Sequence, residues 1–203
     1  MNSTPPRHRR RPKQARSIKK YNEILDASAR VLEEVGFQSA TMSEIHLESG
    51  HPYATIYQYF SNKDDIYLAW LDRFMDEAIF ELVNRAAEAP GTNLSQRIEV
   101  SVRYSLEQII AHRHTLEKLL NGLSLVSSRM VQHLERKSHS LILQTFGQQL
   151  ASRRDDALIE KLMTAARAGN GYWLMLMLNT RHEIELERET RNVTALIKAL
   201  LFN

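Results

Sequence analysis

Cysteine is absent from the 203-residue sequence. That excludes a disulfide framework, a thiolate zinc site and a cysteine nucleophile. A phosphate-cradling glycine loop and a serine elbow are also missing, so nothing points to an enzyme. The most apolar run, Tyr172 to Leu178, falls far short of the ~20 residues that span a bilayer, and no membrane partner is expected. The N-terminus is basic but leads into no apolar stretch, so it does not read as a secretory signal. A cytoplasmic location is the expectation. Neither a strand pattern nor an internal repeat is visible. The histidines His112, His114, His133 and His139 lack the one-turn pair with a nearby acid that marks a metal site. They read as solvated or capping residues, and neither metal nor cofactor is expected.

What is present fits a globular chain of one large or two small domains: 43% of residues are apolar and 25% charged. The net charge of +3 conceals an asymmetry. Residues 1–20 hold eight basic side chains (Arg7, Arg9, Arg10, Arg11, Lys13, Arg16, Lys19, Lys20) and no acid, whereas the remainder carries 19 basic against 24 acidic. A cationic arm on an anionic body suits either a polyanion partner or a solubilising tail.

Helical periodicity dominates the rest. Residues 1–15, with Pro5, Pro6 and Pro12, read as a flexible arm. Tyr21, Ile24, Leu25, Ser28, Val31, Leu32 and Val35 then share one face, and Gly36 marks a stop. Thr41-Met42-Ser43-Glu44 matches a capping box opening a short helix, with Ile45 inward. Gly50 permits a sharp turn, and Pro52 is expected at the first position of a helix reaching Phe60. Ser61 to Asp65 supplies the cap for a long helix to about residue 89. Asn93 to Gln96 offers another capping box, and further helices are predicted from there to about Ala111, over Leu116–Leu120, from about Ser124 to Leu150, on to Leu178, and from about Glu183 to Leu201. The fold class is all-α, with about nine helices.

Residues 41–60 form a unit: short helix, glycine turn, second helix. This is the helix-turn-helix arrangement, whose second helix enters the major groove of DNA. In that helix Ile56 and Phe60, four apart, give an inward face. The other positions carry hydroxyls, a small alanine and an amide, with no acid to repel phosphate. Tyr57 and Tyr59 cannot both share the face of Ile56, so at least one is expected outside.

Ile24-Leu25-Asp26-Ala27, Gly36-Phe37, Thr41-Met42-Ser43-Glu44-Ile45, Gly50 and Thr55-Ile56-Tyr57-Gln58-Tyr59-Phe60-Ser61-Asn62-Lys63-Asp64-Asp65 together resemble the tetracycline-repressor (TetR) family signature, across roughly residues 17–67. The resemblance implies a dimeric, ligand-controlled DNA-binding regulator, usually a repressor. It makes Tyr57 and Lys63 phosphate contacts and Tyr53, Ala54, Thr55, Gln58 and Tyr59 the groove-facing set. Thr41 and Ser43 become further backbone contacts. Gln58 is the candidate for direct readout, because its amide can pair bidentately with adenine. His46 stands where the family usually has alanine, and His51-Pro52-Tyr53 replaces the usual small apolar residue, serine cap and lysine.

The implied organisation is an arm (1–15), a helix-turn-helix domain (16–64) and a ligand-binding and dimerisation domain (65–203). Trp70, Phe74, Tyr104, Met130, His133, Phe146 and Trp173 are candidates to line an effector pocket, although each also reads as ordinary core. The last two helices are the candidate dimer seam. One carries Ala165, Ala166, Ala168, Gly169 and Gly171; the other carries Val193, Leu196, Ile197 and Leu200. The expected partners are a near-palindromic double-stranded DNA operator, a small-molecule effector and a second copy of the chain. The alternatives are an architectural DNA-binding regulator without a ligand, or a small-molecule carrier. A defined apolar pocket favours the sensor and a filled core the architectural role. A carrier would leave both arm and motif unexplained.

Overall fold

The computed structural model describes residues 12–88, 93–122, 128–153, 156–178 and 183–202, with side chains over 12–85, 93–122, 132–144, 156–177 and 183–202. Most of the arm therefore lies outside the described residues. Among those described, nine helices follow in order: α1 (Ala15–Ser39), α2 (Met42–Ser49), α3 (Tyr53–Tyr59), α4 (Lys63–Glu88), α5 (Leu94–Ala111), α6 (Arg113–Gly122), α7 (Ser128–Arg153), α8 (Asp156–Leu178) and α9 (Leu186–Phe202). They group into two compact units, one up to Leu71 and one from Asp72.

The first unit is built on α1. Ile24, Leu25, Ala27, Ser28, Val31 and Leu32 are buried, one stripe of the helix turned inward. Val35, expected on that stripe, is exposed. The reason is Gly36: its φ of 76° and ψ of 167° interrupt the helix there and swing Phe37 into the core. The capping box of α2 forms as its sequence requires. Glu44 N donates to Thr41 Oγ1 (3.2 Å), and Thr41 N donates to Glu44 Oε2 (2.7 Å). Gly50 ends α2 in the left-handed region at φ 65°. Pro52 is the N-cap of α3 rather than its first helical residue, because its ψ of 147° is extended. Asn62 Oδ1 accepts from Asp65 N at 2.8 Å and so caps the start of α4. Tyr67, one turn on, packs its ring 5.3 Å from that of Phe37, which ties the opening turns of α4 to the first unit.

The second unit closes around Ile98, Val102 and Leu106 of α5, Ile142 of α7, Leu162, Met163, Ala165 and Leu176 of α8, and Val193 and Leu201 of α9. Asn93 and Gln96 form the second expected capping box, at α5. Polar links also cross the unit. Lys137 Nζ on α7 lies 2.7 Å from Asp72 Oδ1 on α4 and also contacts Asp76. Glu189 of α9 is buried and accepts from the Tyr172 hydroxyl on α8 and from Arg188 Nε at 3.0 Å. Burial pushes the Glu189 carboxyl up, but the hydrogen bonds from Tyr172 and Arg188 outweigh it and hold it below the usual value.

Candidate nucleic-acid interface

The helix pair α2–α3 presents a mixed surface. Ile56 and Phe60 are buried, as their spacing requires. That leaves Tyr53 and Tyr57, 40% and 42% exposed, on the outer side with Ala54 and Gln58. Thr55 and Tyr59 are half-buried. Tyr59 turns back toward Tyr21, with ring centroids 5.8 Å apart and planes nearly perpendicular. Tyr57 is therefore the outward tyrosine of the pair. Thr41 and Ser43 are exposed at the start of α2, but the Thr41 hydroxyl is engaged in the capping box.

No acidic side chain lies on α3, and the nearest acids are occupied. Glu44 closes the capping box, Glu48 pairs with Arg30 of α1, and Glu23 pairs with His51. The surface is thus neutral to basic and rich in aromatic and amide groups, the chemistry that packs against sugar and base edges. The basic residues Lys13, Arg16, Lys19 and Lys20 lead into or lie on the first turns of α1.

Lys63 is placed differently from its neighbours. Its Nζ donates to the carbonyls of Phe37 (2.7 Å), Gln38 (3.3 Å) and Ala40 (2.9 Å) and lies 4.8 Å from the centre of the Phe37 ring. An ammonium has three donors, and here three carbonyls at the end of α1 receive them.

The pocket candidates do not converge. Trp70 is buried in the first unit. Phe74 packs edge-on against His112 at 5.0 Å, and the buried Tyr104 ring lies 4.5 Å beneath the Arg85 guanidinium. His133 is buried with Nε2 3.1 Å from Asp72 Oδ1. The side chains of Met130 and Phe146 lie outside the described residues. Of the five described candidates, Trp173 alone lines a cavity of about 150 Å³ between α5, α7, α8 and α9. Its walls are mostly aliphatic, with Ser101, Ser105, Ser138 and Asn170 as the polar members. Asn170 Nδ2 donates to Ser138 Oγ at 2.9 Å, and Ser105 Oγ donates to the Ser101 carbonyl at 2.8 Å. The sequence held a signal for this cavity. Ser101 and Ser105 interrupt the apolar stripe Ile98, Val102, Leu106 at one-turn spacing. Among the described residues no three His, Asp or Glu side chains gather as a metal site, and no helix is long and apolar enough to cross a membrane.

A helix-turn-helix with an acid-free reading face, joined to a larger helical unit, defines a DNA-binding transcriptional regulator. Residues 24–70 match the family model described as bacterial regulatory proteins, tetR family. Over that stretch the chain is similar to the TetR family of transcriptional regulators. A TetR-family regulator from Streptomyces coelicolor shares the fold with a TM-score of 0.65 at 22% identity, covering 92% of this chain and 97% of that one. The fatty acid degradation regulator FadR from Bacillus halodurans does so with a TM-score of 0.55 at 23% identity, covering 92% and 96%. The fatty acid metabolism regulator protein of Bacillus subtilis (strain 168) is 30% identical over 87 residues, which are 43% of this chain and 45% of that relative. The matched stretch thus spans less than half of that curated relative.

Proposed function

We propose that the chain is a cytoplasmic, ligand-responsive repressor that binds a near-palindromic operator as a homodimer and is released by a small molecule. The observation that carries the reading is the exposed set Tyr53, Ala54, Tyr57 and Gln58 on a helix fixed by a glycine turn. Gln58 reads a base edge and Tyr57 holds a phosphate.

Support for the dimer comes from the outer faces of the last two helices. Thr164, Gly171 and Met175 of α8, and Ala195, Leu196, Ala199 and Phe202 of α9, are exposed, Met175 by 68% and Phe202 by 56%. Val193, Ile197 and Leu200, assigned to the seam from their spacing, instead belong to the monomer's core or pack against it. In this reading the seam is the exposed face of the same helices, where Thr164, Gly171, Ala195 and Ala199 lie beside Met175, Leu196 and Phe202, while Ala165, Ala166 and Gly169 turn to the cavity.

Support for an effector comes from the cavity. Its aliphatic walls and hydroxyl and amide groups suit an uncharged or weakly polar chain. Two relatives carry names for fatty acid metabolism and degradation, so acyl compounds are the first effectors to try. The effector acts through α4, which begins in the first unit and continues into the second.

The test is binding of the purified chain to DNA from its own upstream region across salt concentration, against a Tyr57→Ala, Gln58→Ala variant. Selective binding at two chains per site, lost in the variant and released by an acyl compound, is the expected result. Binding indifferent to sequence and to the variant leaves only the basic residues touching DNA and sinks the reading.

A further inference from the structure

Helix α3 begins without a side-chain cap, because its N-cap residue is Pro52. The turn that leads into it is held from two other helices. His46 Nδ1 on α2 lies 2.7 Å from the His51 carbonyl oxygen. A carbonyl only accepts, so Nδ1 donates this hydrogen bond. His51 Nε2 lies 2.9 Å from Glu23 Oε2 on α1. The same His46 ring also stacks on Tyr53, with centroids 4.2 Å apart and planes 27° off parallel. Tyr53 in turn lies 6.3 Å from Tyr57 at 21°. Three rings thus form a ladder that starts on α2 and climbs the exposed face of α3.

An exposed tyrosine on a short helix samples several rotamers, and ordering it against a partner costs conformational entropy. A ring already stacked has lost that freedom beforehand and meets its partner in one orientation. We propose that His46 is a specificity-determining positioning residue: it fixes Tyr53, and through His51 the entry of α3, so that the base pairs facing Tyr53 are discriminated more sharply. This inference rests on α3 being the DNA-reading helix. His46 acts through Tyr53 and does not read DNA itself.

The test selects preferred sites for the full chain from a random double-stranded oligonucleotide pool, for the native protein, His46→Ala, Tyr53→Ala and the double variant. The native protein selects a defined sequence. His46→Ala and Tyr53→Ala relax the same base-pair positions, each weakening the selected site by about three- to tenfold, the range of an aromatic pair. The double variant is no weaker than Tyr53→Ala. His46→Phe keeps the stack, drops the hydrogen bond and restores most of the discrimination, which a merely loosened domain would not permit. The proposal is overturned if His46→Ala keeps the native preference in full, or relaxes positions that Tyr53→Ala leaves sharp. A native protein that selects no sequence overturns the DNA-reading assignment and this proposal with it. Failure confined to the variants overturns this proposal alone.

Discussion

The ammonium of Lys63 sits 2.7 Å from the carbonyl oxygen of Phe37 and 4.8 Å from the centre of that residue's ring, closing the end of α1 from the start of α4. The last carbonyls of α1 have no helical partner because the helix ends at Ser39, and a cation there satisfies both their lone pairs and the negative helix end. A lysine so engaged is a structural clasp. Lys63→Met is expected to lower stability by about 1.5–3 kcal/mol, the range for hydrogen bonds to a charged group. Urea unfolding of the two proteins measures it. Unchanged stability with a salt slope of DNA binding reduced by about one would assign Lys63 to phosphate instead.

Gly50 offers a cleaner backbone test. A Cβ added there meets nothing within 4 Å, yet φ is 65°. Gly50→Ala should therefore cost about 1–2 kcal/mol from the left-handed backbone alone. Thermal melting of the variant shows whether that penalty is present. A variant as stable as the native chain would mean that the turn is free to change conformation.

At the reading face, Gln58→Ala should relax discrimination at one base pair by about 1–3 kcal/mol, while Tyr57→Phe weakens all sequences alike. Competition binding with single-base operator variants separates the two outcomes. A uniform loss for Gln58→Ala would make it a backbone contact.

The cavity can be narrowed without harm to the fold. The Cβ of an alanine at 169 would lie 3.9 Å from Trp173 Nε1 and 4.0 Å from Ile197 Cδ1, ordinary contact distances. Gly169→Ala within α8 should raise stability by about 0.5–1 kcal/mol through helix propensity while it weakens effector release. Calorimetry with an acyl probe reports the second effect. Full response in the variant would place the effector elsewhere.

Acid should loosen the contact between α8 and α9. The Glu189 carboxyl is held below its ordinary value, so its stabilising share is present above the unfolded pKa of about 4.3 and is lost as pH falls through the lower folded value. The unfolding free energy is expected to drop on acidification below that point, and less steeply in Glu189→Gln. Parallel slopes for the two proteins would show that other carboxylates carry the dependence.

Much of this was legible from side-chain period and caps. The two capping boxes, the Gly50 turn and the inward pair Ile56 and Phe60 follow from local rules that need only a few neighbouring residues. The helix ends were less legible. Helix α6 runs over Arg113–Gly122, longer at both ends than its apolar core Leu116–Leu120 announced, and α9 starts at Leu186 rather than near Glu183. The backbone contacts of Lys63 were hidden because its acceptors are atoms 23 to 26 residues upstream. Val193 misled for a different reason. An apolar stripe at helical spacing says that a face is buried, not whether the covering surface belongs to the same chain, and α9 turns that stripe onto α5 and α8. The cavity depends on side chains from four helices, a convergence that no single stretch of sequence encodes.

Helix α9 has a covered side and an exposed side. Its inner side contributes Ile197 and Leu201 to the cavity wall, and its outer side exposes Ala195, Ala199 and Phe202. A molecule held within and a second copy seated without would therefore press on opposite faces of one 17-residue rod. By linkage, whatever free energy occupancy lends to association, association must lend back to occupancy in equal measure. The apparent affinity for an effector would then depend on the concentration of the protein itself, and diluting the chain would retune its sensitivity without altering a single contact in the cavity.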